Sequence, residues 1–253
     1  MSKWGRKQRP PPEGYEVVEP TLTAIDNELR DRVNESHEGK RKAESQWPVH
    51  QLNWQRTRYI YDMHYKYDRI SKEVVDHCLE NKIIDGDLMA YWQTPGYDRL
   101  CSTFSVDTTN SKFGTVSVCR VPAKVLDDSQ IVENPMTGCR GCASGATTRN
   151  IFGNKYGEYL ADIQVARELR AKARAEETND EDKGGNSDAR DDDAPVGAAD
   201  GGAGEDSTKF WAKDNEVLDE EALEAAAGAA KTAQEKRGAA RGRYQPPGKR
   251  QRR

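Results

Sequence analysis

Apolar positions in the first hundred residues recur with the period of a helix. Leu22, Ile25, Leu29 and Val33 fall on one stripe and predict an amphipathic helix over 21–35. Pro20 precedes it, and Thr21 or Thr23 is placed to cap it, with Asp26 three residues after Thr23. Trp47-Pro48 opens a longer pattern through Val49, Leu52, Tyr59, Ile60, Met63 and Tyr67, ending near Asp68. Tyr59, Ile60 and Met63 are expected inside, and His50 and His64 read as packed or surface histidines. Ser71 is placed to cap a third helix whose face is Val74, Val75, Cys78 and Leu79, so Cys78 reads as a core thiol. Asp85-Gly86-Asp87 gives a turn and cap for a short fourth helix over 88–92, which Pro95-Gly96 stops. Beyond it the period changes. Val116, Val118, Val121, Ile131 and Val132 suggest brief strands or extended loops, and a helical face returns at Tyr159, Leu160, Ile163, Ala166 and Leu169, over about 157–175.

The region where the helical period fails holds four of the five cysteines: Cys101, Cys119 and the close pair Cys139 and Cys142. Four thiolates at tetrahedral corners make a closed structural zinc site. Gly138 and Gly141 allow the tight turns that a two-residue spacer needs to grip one ion. The segment has few large apolar residues, and a metal supplies what so small a core lacks. Arg120 and Arg140, each beside a ligand, are placed to offset the excess negative charge. The residues alone leave open two other readings: buried free thiols, or a Cys139/Cys142 dithiol redox pair.

Composition divides the chain. Hydrophobic residues are 35% and charged residues 32%, too polar for one core throughout. Of the 39 Lys and Arg and the 43 Asp and Glu, 21 of each lie in 1–150, so the remaining 18 and 22 account for the net charge of −4. Residues 176–208 are rich in Asp, Glu and Gly and are expected to form a disordered linker. Phe210-Trp211 stands in that tail as a short aromatic anchor, 220–236 is alanine-rich, and 236–253 is basic. No apolar run reaches 18 residues and no signal-peptide pattern opens the chain, so a soluble protein of a reducing compartment is expected, in which clustered cysteines read as metal ligands.

A basic surface is also legible. Arg6, Lys7 and Arg9 precede three prolines in an arm suited to lying along phosphates, and Lys40, Arg41 and Lys42 form a cationic triplet after Gly39. Arg56 and Arg58 stand among Trp54, Tyr59, Tyr61, Tyr65 and Tyr67, and are expected to lie outside and available. Cations beside rings are what an RNA-contacting surface needs. No Ser-His-Asp set, phosphate loop or paired carboxylates occurs in a defensible context, so no catalytic residue is assigned.

Several stretches together resemble the bud-site selection protein 31 family: Pro11-Pro12-Glu13-Gly14-Tyr15-Glu16, Glu19-Pro20-Thr21-Leu22, His37-Glu38-Gly39-Lys40-Arg41-Lys42 and Glu44-Ser45-Gln46-Trp47-Pro48. Arg56-Thr57-Arg58-Tyr59-Ile60, Phe113-Gly114-Thr115, Cys119-Arg120-Val121-Pro122 and Gly138-Cys139-Arg140-Gly141-Cys142 continue it, so the likeness runs over about 9–145. The resemblance implies a nuclear component of the spliceosome's catalytic core, with a helical body and a multi-zinc cysteine cluster. It also implies contacts with small nuclear RNA, pre-mRNA and neighbouring core spliceosomal proteins. The family's segment carries about nine cysteines. Here Ser102, Ser105, Ser117, Asn134 and Thr137 stand where further ones are expected, which leaves the count for one zinc held by Cys101, Cys119, Cys139 and Cys142, or, as the rival, a lobe without metal whose loops are held by hydrogen bonds from the serines and threonine.

The sequence therefore predicts a mainly α protein: a basic, proline-rich arm (1–20), a helical body (21–98) and a small irregular cysteine-rich zinc lobe (99–145). An additional helix (146–175) and a mostly disordered, acidic then basic tail (176–253) follow. The expected role is a non-catalytic nuclear scaffold in pre-mRNA splicing, with Arg6, Lys7, Arg9, Lys40, Arg41, Lys42, Arg56, Arg58, Arg120 and Arg140 as RNA contacts. No membrane and no small-molecule substrate is expected. The alternatives are a scaffold that touches protein only, or a dithiol redox protein.

Overall fold

Helix α1 (Glu19–Asn34) begins two residues before the expected start. Pro20 sits in its first turn, where a missing N–H costs no intrahelical bond. Thr21 therefore lies inside the helix and is buried with Leu22 and Ile25, so neither threonine caps it. Val33, placed by periodicity on the same stripe, is 54% exposed, because the last turn runs past the core. A computed structural model describes residues 10–111, 113–126, 132–143, 151–153, 159–181, 227–233 and 235. The arm with Arg6, Lys7 and Arg9, the linker beyond Glu181, Phe210-Trp211 and the basic end at 236–253 lie outside the described residues.

Helix α2 (Trp47–Tyr61), again with proline in the first turn, gives up the α-pattern earlier than periodicity suggests. It passes into a single π turn over Asp62–Lys66, closed by the Tyr67 N–H donating to the Asp62 carbonyl at 2.9 Å. Its inner face is Leu52, Trp54, Tyr59, Ile60 and Met63, all at most 2% exposed, whereas Val49 points outward. Each such aliphatic side chain withdrawn from water contributes on the order of 1.5–3 kcal/mol. Helix α3 (Lys72–Glu80) buries Val74, Val75 and Cys78, and Ser71 precedes it without a side-chain cap bond. Helix α4 (Gly86–Trp92) is capped by Asp85, whose carboxylate accepts from the Leu88 N–H at 3.1 Å. Thr57 Oγ1, fully buried on α2, accepts the Asp85 N–H at 3.2 Å and so fixes the α3–α4 turn against α2.

Among the described residues there is no strand. Val118–Arg120, together with Thr103–Ser105, Thr108–Asn110 and Ala123–Val125, forms short 3-10 turns, so of the two expected alternatives, brief strands or extended loops, the described residues take loops broken by such turns. The segment alternates small and polar residues without a run long enough to present a sheet face. Helix α5 (Leu160–Glu181) buries Leu160, Ile163 and Ala166 of the expected face, together with Ala161 and Val165, and runs into the stretch expected to be disordered. The chain divides into two compact units, 1–161 with 229–253, and 162–228. The cysteine lobe and α1–α4 belong to the first.

Candidate metal centre

Leu100, fully buried, ends the helical body, and its carbonyl accepts two indole N–H groups: Trp54 from α2 at 2.9 Å and Trp92 from α4 at 3.0 Å. The rings of the two tryptophans meet edge to face, with centroids 6.0 Å apart. This double bond to one carbonyl fixes the backbone one residue before Cys101. Cys119 sits in the 3-10 turn Val118–Arg120. Cys139 and Cys142 are each preceded by a glycine, Gly138 and Gly141, with φ of 70° and 113°, a conformation that a side chain would strain. Gly138 also lies beneath the Trp47 indole, whose N–H donates to the Pro135 carbonyl at 2.9 Å.

These elements bring together all four predicted ligands. Cys101, Cys119 and Cys139 are fully buried and Cys142 is 6% exposed, and the four sulfurs lie within 4.8 Å of one another. Cys101 Sγ and Cys119 Sγ are 3.9 Å apart, within hydrogen-bond reach for sulfur and with no disulfide between them. Tetrahedral geometry with metal–sulfur bonds of about 2.3 Å places sulfurs about 3.8 Å apart, so the donor set fits a zinc-sized ion. Hydrogen bonding among the sulfurs holds Cys142 and Cys119 below the ordinary thiol range and pushes Cys139 and Cys101 above it. Four sulfurs this close cannot all ionise unless a cation joins them. Cys78, on α3, is a core thiol as expected, pushed up to about 11 by burial.

Polar side chains surround the sulfurs. Ser105 and Thr137 are fully buried and Asn134 is 2% exposed. Ser105 Oγ lies 3.0 Å from Cys101 Sγ, and Asn134 Nδ2 lies 3.3 Å from Ser105 Oγ and 3.6 Å from Cys119 Sγ. Thr137 Oγ1 accepts the Cys139 N–H at 3.4 Å and, among the described residues, makes no hydrogen bond to a sulfur. Sequence reading flagged these positions as departures from a family pattern but had no signal for how they bond to one another. It also missed Ile151 and Phe152. The Ile151 carbonyl accepts the Arg140 N–H at 2.7 Å, Ile151 is fully buried, and Phe152 meets Trp54 edge to face at 5.9 Å.

The predicted cations separate into groups. Arg120 donates from Nη1 to Cys142 Sγ at 3.5 Å and from Nη2 to the Gly96 carbonyl at 2.9 Å, with its guanidinium 4.7 Å from the Tyr97 ring centre. Arg140 is exposed, its guanidinium against Gly153. Lys40, Arg41 and Lys42 are exposed; Lys40 pairs with Glu35 at 3.0 Å and Arg41 with Glu44. Arg56 and Arg58, expected outside and available, are instead drawn inward. Arg56 binds Asp26 on α1 at 2.6 Å with its side chain 16% exposed. Arg58 binds buried Asp62 at 3.0 Å and the Asp98 carbonyl at 2.9 Å, and lies 5.3 Å from the ring centres of both Tyr61 and Trp92. Asp26 on α1 competes successfully with solvent for the Arg56 guanidinium, and Asp62 one turn on with two ring faces does so for that of Arg58.

Fold and site together define a helical body closed by a loop lobe built on a four-cysteine centre able to hold a metal ion. The family model for the pre-mRNA-splicing factor BUD31 matches residues 1–144, and the chain belongs to that family. It is 43% identical to the BUD31 homolog of Branchiostoma belcheri over 143 residues, covering 56% of this chain and 99% of the relative. With the pre-mRNA-splicing factor cwf14 of Schizosaccharomyces pombe it shares 42% over 134 residues, 53% of this chain and 91% of the relative. With the BUD31 of Saccharomyces cerevisiae it shares 34% over 149 residues, 55% of this chain and 95% of the relative. Among the described residues no helix is long and apolar enough to cross a membrane.

Proposed function

We propose that this chain is a non-catalytic scaffold of the spliceosome's catalytic core, acting in the nucleus, with one zinc ion held by Cys101, Cys119, Cys139 and Cys142. The supporting observation is the pairing of membership in a splicing-factor family over 1–144 with four buried sulfurs within 4.8 Å. Zinc supplies a fixed tetrahedral joint and no chemistry of its own, since four protein ligands leave no open position. The protein holds its loops in one arrangement and presents Lys40, Arg41 and Lys42 to the phosphates of small nuclear RNA or pre-mRNA, with Arg6, Lys7 and Arg9 as arm contacts and Arg140 at the edge of the centre. Arg56 ties α2 to α1 and Arg58 ties α2 to the Asp98 backbone, while Arg120 serves Cys142.

The test is recovery of the tagged full chain from nuclear extract. Small nuclear RNA and core splicing proteins in the eluate, and one zinc per chain by metal analysis, are the expected result; absence of splicing components overturns the assignment to the spliceosome. A second reading, contact with protein only, is favoured by the inward placement of Arg56 and Arg58 and by the glutamate partners of Lys40 and Arg41. Ultraviolet crosslinking separates the two, because only the first reading yields labelled RNA on the chain.

A further inference from the structure

Asn134 is fully committed by its surroundings. Its side-chain oxygen accepts the Met136 N–H at 3.0 Å, which fixes the orientation of the amide. The Nδ2 group then faces Ser105 Oγ at 3.3 Å and Cys119 Sγ at 3.6 Å, with one N–H available for each. Its backbone is pinned as well: the Asn134 N–H donates to the Cys139 carbonyl at 2.8 Å, and its carbonyl accepts the Gly138 N–H at 2.8 Å. With the Asn134 amide donating to it, the Ser105 hydroxyl has its own hydrogen free for Cys101 Sγ at 3.0 Å. The Ser105 backbone is held by its N–H to the Ser102 carbonyl at 3.1 Å and by the Ser117 N–H to its carbonyl at 3.0 Å. Ser105 and Asn134 come from different loops, and both are buried.

Four thiolates around a divalent ion leave an excess charge of about −2 in a site closed to solvent, and such charge persists only where donors meet it. Arg120 answers one part of it at Cys142. We propose that Ser105 and Asn134 are positioning residues of the metal centre, a directed relay running from the Asn134 amide through the Ser105 hydroxyl to Cys101, with a branch to Cys119. The relay keeps those two sulfurs ionised as ligation requires, so strengthening the hold on the ion, and shields them from electrophiles. This rests on the zinc reading above. Thr137 provides the contrast: equally buried and polar, it bonds to backbone and, among the described residues, to no sulfur.

The experiment uses the full chain loaded with zinc, carrying Ser105→Ala, Asn134→Asp, Ser105→Thr or Thr137→Ala. Asn134→Asp keeps the oxygen that accepts from Met136 and removes the donors. Zinc affinity is measured by competition with a chromophoric chelator, and the alkylation rate of each cysteine by mass spectrometry. Ser105→Ala is expected to retain one zinc, weaken its affinity about tenfold to a hundredfold, and speed alkylation of Cys101 relative to Cys139. Asn134→Asp is expected to speed both Cys101 and Cys119, Ser105→Thr to restore the ordinary pattern, and Thr137→Ala to leave the ratios unchanged. Cobalt loading gives a second readout, a shifted sulfur-to-metal charge-transfer band in Ser105→Ala and not in Thr137→Ala. Four cysteines accelerating together, or Ser105→Ala behaving like Thr137→Ala, overturns the relay alone. A natural chain that takes up neither zinc nor cobalt overturns the relay and the metal centre together.

Discussion

Trp47 lies so close over Gly138 that a methyl group placed on the glycine would come within 2.8 Å of the indole. The first residue of α2 thus forms the lid of the turn that leads into Cys139. With φ at 70°, the glycine is required twice, by the ring above it and by its own backbone. Gly138→Ala is expected to cost about 1–3 kcal/mol in chemical denaturation and to weaken zinc binding, since relief of the clash moves Cys139. Unchanged stability and affinity would show that the turn yields freely.

Zinc binding that requires the folded lobe adds to stability by mass action. At free zinc a hundredfold above the dissociation constant the gain is about 2.7 kcal/mol. Thermal denaturation is therefore expected to move to lower temperature on adding a strong chelator and to return with zinc. Cys139→Ser should abolish the shift.

Two indoles on one buried carbonyl make a coupled pair. Trp92→Phe leaves the Leu100 carbonyl bonded to Trp54, and Trp54→Phe leaves it bonded to Trp92. Each loses about 1 kcal/mol of hydrogen bonding in addition to lost packing. The double variant strands the carbonyl, so a double-mutant cycle is expected to exceed additivity by about 1 kcal/mol.

The inward arginines and the outward triplet respond differently to removal. Arg58→Ala leaves the Asp62 carboxylate buried without its guanidinium partner and is expected to cost about 2–3 kcal/mol while leaving the salt dependence of RNA binding unchanged. Replacing Lys40, Arg41 and Lys42 together by Ala is expected to leave stability within about 1 kcal/mol and to flatten that salt dependence by up to about three phosphate contacts. Denaturation and binding titrations at several salt concentrations read both.

Burial pushes the Cys78 thiol up to about 11, so at pH 8 about one molecule in a thousand carries the thiolate. Iodoacetamide is expected to leave Cys78 unlabelled in the native protein at that pH and to label it once denaturant exposes α3. Fast native labelling would mean that α3 opens locally.

The helices were legible because their apolar residues recur every three or four positions and because Pro20 and Pro48 mark their starts. The outward turn of Val33 and Val49 was not legible, because periodicity assigns a face without saying where the neighbouring core ends. The four sulfurs were readable as a set from residue type, since few environments gather thiols otherwise. What surrounds them was hidden: Ser105, Asn134 and Arg120 come from separate loops, and their bonds depend on turn geometry that no local pattern encodes. The inward placement of Arg56 and Arg58 was hidden for a related reason, because their partners, Asp26 on α1 and the Asp98 carbonyl, are distant in sequence.

The family match ends at residue 144, yet Ile151 receives the Arg140 N–H and Phe152 reaches Trp54. The folded part therefore outruns the recognisable part. A fragment cut where the likeness stops would lose an anchor from the Cys139–Cys142 loop and bare one side of a core tryptophan, whereas one cut after Gly153 would keep both. Ile151 and Phe152 thus do for the Cys139–Cys142 loop and for Trp54 what no described residue inside the recognisable stretch does in their place, and any boundary drawn for this domain has to include them.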